Sequence, residues 1–186
     1  GLVVIASPNA THAPLARLAL HAGKHVVVDK PFTLDMQEAR ELIALAEEKQ
    51  RVLSVFHNRR WDSDYLGVKQ VIEQGLIGKV KHFESHFDRF RPEVRVRWRE
   101  QNVPGSGLWF DLGPHLIDQT LQLFGLPQSV QSQLIAAAAP ASTSGGNSRR
   151  ATTTMCAPSA IALTANALPM PAEPPTTTTR LSLRDR

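Results

Sequence analysis

The residues of this chain that could do chemistry stand in three short clusters. The first is Ser7-Pro8-Asn9-Ala10-Thr11-His12, and the second is Asp29-Lys30-Pro31. The third runs from Gly107 to Asp118 and places Asp111 and His115 four residues apart. An imidazole exchanges protons in both directions near neutral pH, and an ammonium stabilises negative charge that develops on oxygen. These residue types suit acid–base chemistry on a hydroxyl group.

Apolar runs predict the strands that would position the first two clusters. Leu2–Ala6, His25–Val28 and Val52–Phe56 lack polar alternation, and helical patterns separate them. Such an order predicts a parallel sheet covered on both faces, half of a doubly wound fold. Ligands in these folds bind at the carboxyl ends of the strands, which here means residues 7–12, 29–31 and 57–60.

Two helices are predicted between these strands. One runs from about Thr11 to Ala22, with Gly23 as its stop and an apolar face of Leu15, Leu18 and Ala22. The other begins near Asp35, which forms a capping pair with Glu38. Its apolar face consists of Ala39, Leu42, Ile43 and Ala46.

The pattern changes after Asn58, where we place a domain boundary. Residues 64–74 predict a helix, and Val80–Phe90 alternates as an antiparallel strand with Phe83, Ser85 and Phe87 on one face. We therefore predict a first domain over residues 1–57 and the start of a second over 58–134.

The order and separation of the three clusters resemble the Gfo/Idh/MocA family of sugar and polyol dehydrogenases. The likeness rests on three motifs. The first is Pro8-Asn9 with a following His, and the second is Asp29-Lys30-Pro31, which stands for the family's Glu-Lys-Pro. The third is Gly-x-x-x-Asp-x-Gly-x-His-x-x-Asp over residues 107–118. The likeness covers residues 1–134 and is greatest to the scyllo-inositol dehydrogenase-like branch. The fold it implies is α/β, a partial Rossmann-like parallel sheet followed by the start of an α+β substrate domain.

The resemblance also implies an activity and roles. The parent enzyme would be an NAD(P)-dependent oxidoreductase that oxidises a secondary hydroxyl of a sugar or cyclic polyol. His115 would be the general acid/base, Asp111, expected as a helix N-cap, would orient it or hold a substrate hydroxyl, and Lys30 would polarise the carbinol oxygen. Residues implied around the cofactor are Ser7, Pro8, Asn9, His12, Asp29, Lys30 and Pro31; no metal is implied.

Some features depart from the family pattern. No Gly-x-Gly-x-x-Gly precedes the first strand, so the choice between NAD and NADP stays open. Asp29 replaces the commoner Glu. We interpret the chain as a fragment, inactive as written, of a parent that would form homo-oligomers.

Purely structural interpretations of these residues remain open. Lys30 could be a solvated loop lysine. Asp111 could only cap a helix, and His115 could only form a local hydrogen bond within it. A non-catalytic nucleotide-binding or regulatory protein on the same scaffold is the alternative function. Asn58–Trp61 could belong to a cofactor site, an interface or a charged strand end. Arg89–Arg99 resembles a nucleic-acid patch, but interleaved acids favour a mobile loop.

The composition changes after Leu134. Residues 1–134 hold 16 basic and 15 acidic side chains, whereas residues 135–186, rich in Ala, Thr, Pro and Ser, hold five Arg and two acids. We expect disorder over 135–186, either as a natural tail or as a shifted reading frame. The net charge of +4 comes mostly from this tail and does not predict a nucleic-acid partner. One cysteine and no membrane segment favour a cytoplasmic location.

Overall fold

The computed structural model describes residues 1–91, 103–134, 147–156, 160–166 and 179–180. The chain divides into two compact units, one of residues 1–58 with 96–111 and the other of residues 59–95 with 112–186. The sequence did not predict that residues 96–111 return to the first unit, because a contact across such a separation leaves no local pattern.

The first unit contains a parallel sheet of three strands, β1 (Leu2–Ile5), β2 (His25–Asp29) and β3 (Leu53–Phe56), in the order β1-β2-β3. Helix α1 (His12–His21) connects β1 to β2, and helix α2 (Met36–Glu48) connects β2 to β3. The predicted strand–helix–strand–helix–strand order is confirmed. Branched apolar residues favour these strands because they fit a buried pleated surface.

The core of the first unit lies between the sheet and the two helices, which contact each other. On α1 the prediction of the buried face was wrong: Leu15 and Leu18 are 42% and 66% exposed, and Ala22 is exposed. The face of α1 that is turned to the sheet therefore consists of three alanines and one leucine, Leu20, and not of Leu15 and Leu18. The buried residues of α1 that join this core are Ala13, Ala16, Ala19 and Leu20.

The opposite face of the sheet differs from the expectation of cover on both sides. Leu2, Val4 and Phe56 are more than half exposed within the described part of the chain. Both crossover helices pack on one face of the sheet, since their buried residues join a single core with Ile5, Val26 and Val28 of that face. Among the described residues, helices therefore cover one face of the sheet, whereas a doubly wound fold has helices on both faces.

Helix α2 begins as predicted. Asp35 is its N-cap, and the Glu38 backbone N–H donates to Asp35 Oδ1 at 2.8 Å. Leu42 and Ala46 of the predicted apolar face are buried, whereas Ile43 is about half exposed. The cap supplies an acceptor that the first turn of a helix lacks within itself.

The second unit combines helix α3 (Ser63–Glu73) and most of helix α4 (Gly107–Phe124) with a mixed sheet. Strand β4 (His82–Arg91) buries Phe83, Ser85 and Phe87 on one face, as the alternation predicts. The other described strands are β5 (Ser129–Leu134), β6 (Asn147–Cys156), β7 (Ala160–Asn166) and β8 (Thr179–Arg180). The strands run in the order β5-β7-β6-β4-β8.

The strands β6, β7 and β8 lie in the segment where we expected disorder. Strand β6 pairs antiparallel with all ten residues of β4, from His82↔Cys156 to Arg91↔Asn147. Composition misled the expectation because threonine, read as a low-complexity residue, is β-branched and favours strands. For the remaining residues after 134, which lie outside the described part, disorder stays a prediction.

The predicted loop over Arg89–Arg99 is only partly described. The backbone of Arg89 and Arg91 continues β4, and residues 92–102 lie outside the described part. No helix in the described ranges is long and apolar enough to cross a lipid bilayer.

Candidate active site

The first cluster follows β1 and turns the chain into α1. Residues 9–11 form a 3-10 turn, and the Thr11 hydroxyl donates to the Pro8 carbonyl at 2.7 Å. The Ser7 and Thr11 hydroxyls lie 2.5 Å apart. These contacts fix the short connection at the carboxyl end of β1, the edge of a parallel sheet where ligands bind.

Two polar side chains of this turn are buried. The Asn9 amide donates to the Gly105 carbonyl at 2.8 Å. The His12 ring places Nδ1 2.7 Å from the Pro31 carbonyl oxygen and Nε2 3.0 Å from that of Ser7. Buried polar groups need such partners, because an unsatisfied one carries a desolvation cost. Both residues, predicted to contact the cofactor, thus direct these atoms at backbone carbonyls of the first unit.

The second cluster follows β2 and carries a buried cation. Asp29 Oδ1 accepts a hydrogen bond from the Lys30 backbone N–H at 2.9 Å, and the Lys30–Pro31 peptide is cis. Only 9% of the Lys30 side chain is exposed. Its Nζ donates to the Asp111 carbonyl oxygen at 2.6 Å and lies 3.3 Å from Asp111 Oδ1. Burial of a charge is tolerated when it is paired in this way.

Asp111 is not the helix N-cap that we expected. Helix α4 already begins at Gly107, because the apolar residues before Asp111 extend the helical pattern, and Asp111 lies inside it. Pro114 follows within the helix and removes one backbone N–H from this turn. The tertiary contact with Lys30, 81 residues away in sequence, joins the second and third predicted clusters within the first unit.

His115 comes one helical turn after Asp111 and belongs to the second unit. It is 5% exposed, and the edge of its ring meets the Phe87 ring with centroids 6.5 Å apart. The guanidinium of Arg59 lies 4.8 Å from the centre of the same Phe87 ring. The histidine is therefore held in a packed aromatic setting on β4 and α4.

Sequence reasoning left the Asn58–Trp61 turn unassigned and missed its partner. Arg60 forms a bidentate pair with the Asp118 carboxylate at 2.6 and 2.8 Å, and the Gln119 amide donates to the Arg59 carbonyl at 2.9 Å. The hydrogen bonds that Arg60 donates to Asp118 raise the pKa of its guanidinium. Asp118 is the last residue of the third cluster, but nothing local in the sequence reveals a partner 58 residues away.

The hydrogen bonds and burial of these side chains indicate which chemistry they suit. In the first unit the described residues hold a buried ammonium beside a carboxylate at the sheet edge, and in the second unit α4 carries the buried His115. Such groups suit stabilisation of a developing alkoxide and proton transfer. Among the described residues, no group of three His, Cys, Asp or Glu is placed to hold a metal ion.

Comparison with known protein families matches both units. Residues 1–57 match the model described as oxidoreductase family, NAD-binding Rossmann fold. Residues 65–167 match the GFO/IDH/MocA C-terminal domain. That second match extends beyond residue 134 and includes strands β6 and β7.

Individual relatives agree with the family models. The chain is 65% identical over 133 residues to the uncharacterized oxidoreductase YdgJ of Escherichia coli, covering 72% of this chain and 38% of that protein. It is 42% identical over 135 residues to scyllo-inositol 2-dehydrogenase (NADP(+)) IolW of Bacillus subtilis, covering 73% and 38%. The chain spans less than two fifths of the length of these curated relatives.

A solved structure shares the fold. The crystal structure of a protein from Klebsiella pneumoniae superposes with a TM-score of 0.70 at 72% sequence identity, over 88% of this chain and 45% of that one. This coverage includes part of the segment after residue 134, in agreement with the strands found there.

Proposed function

This chain belongs to the Gfo/Idh/MocA family of oxidoreductases, and we propose that it forms part of a dehydrogenase that oxidises a secondary hydroxyl of a sugar or cyclic polyol. The observation that carries the proposal is the buried Lys30 ammonium, held against Asp111 at the carboxyl edge of the parallel sheet. Similarity to a relative named for scyllo-inositol favours a cyclic polyol.

NAD or NADP is the cofactor class of the family. The residues present fit the nicotinamide end of such a molecule, because the turns after β1 and β2 converge on the sheet edge where doubly wound folds bind dinucleotides. Ser7, Pro8, Asp29 and Pro31 would line this end around Lys30. When bound, the nicotinamide accepts a hydride from the substrate carbon.

The chain's own residues would handle the hydroxyl. Lys30 would donate a hydrogen bond to the carbinol oxygen and stabilise negative charge there as the carbon loses its hydride. His115 would take the hydroxyl proton as general base, and Asp111 would hold the Lys30 ammonium in place. Loss of one hydride from carbon and one proton from oxygen leaves a ketone or, from a cyclic hemiacetal, a lactone.

An exchange of segments tests this proposal despite the partial span of the chain. Residues 1–134 would replace the corresponding segment of the B. subtilis relative, and reduction of both nicotinamides would be followed with scyllo-inositol and other polyols. We expect the exchanged protein to turn over substrate. Its turnover should fall at least about a thousandfold after Lys30→Met or His115→Ala, since each substitution removes a group that acts in the transition state.

Lys24→Met, at an exposed lysine of the same unit, is the matched control and should leave turnover unchanged. Near-normal rates in both Lys30→Met and His115→Ala would refute the role assignments. A folded exchanged protein that binds a nicotinamide but oxidises no polyol would instead support the non-catalytic, nucleotide-binding alternative. We further propose that the binding partner is a small-molecule substrate and that the parent enzyme forms homo-oligomers.

A further inference from the structure

The two buried polar residues at the start of α1 reach in different directions. Asn9 is 6% exposed and His12 is 1% exposed. The Asn9 amide donates to Gly105, whereas the His12 ring contacts the carbonyls of Ser7 and Pro31. One short turn of chain therefore places its polar side chains within hydrogen-bond distance of three other backbone positions of the first unit.

The His12 contacts hold the segment that carries Lys30. Pro31 is the next residue after Lys30, and its carbonyl oxygen lies 2.7 Å from His12 Nδ1. The second ring nitrogen lies 3.0 Å from the Ser7 carbonyl, just after β1. The ring lies between the residues that follow β1 and β2 and donates to at least one of these two carbonyls, so a side chain without nitrogen would leave the Pro31 or the Ser7 carbonyl without its donor.

The Asn9 contact holds the segment that carries Asp111. Gly105 lies two residues before α4 and has a φ of 78°, a conformation that favours glycine. A Cβ atom at Gly105 would lie 2.5 Å from Leu34 Cδ2 and 3.3 Å from Asn9 Cβ. The chain at Gly105 therefore approaches Leu34 more closely than a larger residue allows and packs tightly against Asn9, whose amide bonds to the chain just before α4.

We propose that Asn9 and His12 are positioning residues that hold the two partners of the Lys30–Asp111 pair from one turn of chain. His12 acts on Lys30 through Pro31, and Asn9 acts on Asp111 through Gly105. The resemblance implied cofactor contacts for both residues, but their observed hydrogen bonds are to backbone carbonyls. The catalytic meaning of this arrangement rests on the proposed function, whereas the arrangement itself does not.

The chemical reactivity of Lys30 tests the proposal in the full 186-residue chain. Reductive methylation with formaldehyde would be quantified by mass spectrometry at Lys30 and, as an internal reference, at the exposed Lys24. Asn9→Asp replaces the donor by a carboxylate of similar size, and His12→Phe keeps a ring without nitrogen. We expect Lys30 to react about tenfold faster in each variant, the factor that about 1.4 kcal/mol represents, with Lys24 unchanged.

Val26→Ala is the matched control, because Val26 is fully buried in the same core and is apolar. If Val26→Ala lowered the melting temperature as much as Asn9→Asp or His12→Phe does and also raised Lys30 reactivity by the same factor, the effect would be a general loosening of the core. That outcome would overturn the proposal. Unchanged Lys30 reactivity in folded Asn9→Asp and His12→Phe would do the same. If either variant fails to melt cooperatively, Gly105→Ala strains the Asn9 contact from its other side and should also raise the reactivity.

Titration with NADPH separates this inference from the proposed function. If Asn9 and His12 were cofactor ligands, their variants would lose NADPH affinity while Lys30 kept its low reactivity, and the inference would fail. Absence of polyol oxidation in the exchanged protein would remove the proposed function, but the shifts in Lys30 reactivity would still establish the positioning role.

Discussion

Lys30 is a buried cation whose charge is met by two oxygens of one residue. Its ammonium donates to the Asp111 backbone carbonyl and faces the Asp111 carboxylate. Two oxygens from a single residue compensate burial better than one, because each lone pair replaces a lost water. An ammonium held in this geometry suits a role at a developing alkoxide.

Arg60 and Asp118 form a partly buried ion pair in the second unit. We expect Arg60→Ala to lower the free energy of unfolding by about 1–2 kcal/mol, because the Asp118 carboxylate loses the two hydrogen bonds from Arg60, while the 40% exposure of the arginine side chain limits the cost. Urea denaturation measures the change. Asp118→Asn combined with Arg60→Ala should cost less than the sum of the two single changes.

The control for that prediction is Lys69→Ala, whose exposed pair with Glu73 spans 3.8 Å. It should change the free energy of unfolding by less than about 0.5 kcal/mol. Equal effects of Arg60→Ala and Lys69→Ala would contradict the importance assigned to the bidentate geometry.

At the scale of elements, the start of α2 was predictable because the signal is local. The Asp35 and Glu38 spacing places a carboxylate next to a backbone N–H that the helix cannot satisfy itself. The buried face of α1 was not predictable in this way. Its leucines and alanines both recur with helical periodicity, and only the distance to the sheet decides which of them is covered.

Asp35→Ala is expected to destabilise the protein by about 1 kcal/mol, since the first turn of α2 loses its acceptor and a favourable charge near the positive end of the helix. Thermal or urea unfolding checks this value. Asp35→Asn keeps an acceptor oxygen at the same place and should retain most of the stability. A loss in Asp35→Asn as large as in Asp35→Ala would show that the cap bond contributes little.

At the scale of the whole molecule, the first unit depends on a small core beneath one face of its sheet. Leu20 is fully buried in that core, whereas Leu18 on the same helix is 66% exposed. We expect Leu20→Ala to cost about 2–5 kcal/mol through lost burial and the cavity left behind. Leu18→Ala should cost less than about 0.5 kcal/mol.

Hydrogen exchange of peptides from β1, β2 and β3, together with urea unfolding, would measure the effect of these two changes. Faster exchange in all three strands is expected for Leu20→Ala, because they share one core. Comparable losses of stability for Leu18→Ala and Leu20→Ala would mean that α1 faces the sheet differently.

The second unit shows where composition is a poor guide. Its sheet recruits strands from the segment beyond residue 134, where β6 pairs along the whole of β4. A strand that pairs with a distant partner needs only a compatible pleat and branched side chains, so few large apolar residues are required locally. The tertiary partner, not the local composition, decided that these residues form strands.

By itself, the sequence determined the alternation of strands and helices that forms a parallel sheet, the cap of α2, the buried face of β4 and the three clusters that identify the family. Each of these depends on neighbours in sequence, through periodicity, turn residues and fixed motif spacing. Only the tertiary structure decided that Lys30 meets Asp111, that Asn9 meets Gly105, that His12 meets Pro31, and that Arg60 pairs with Asp118. Those contacts join residues 19 to 96 positions apart, and their free energy arises from burial and charge pairing that exist only once the chain is folded.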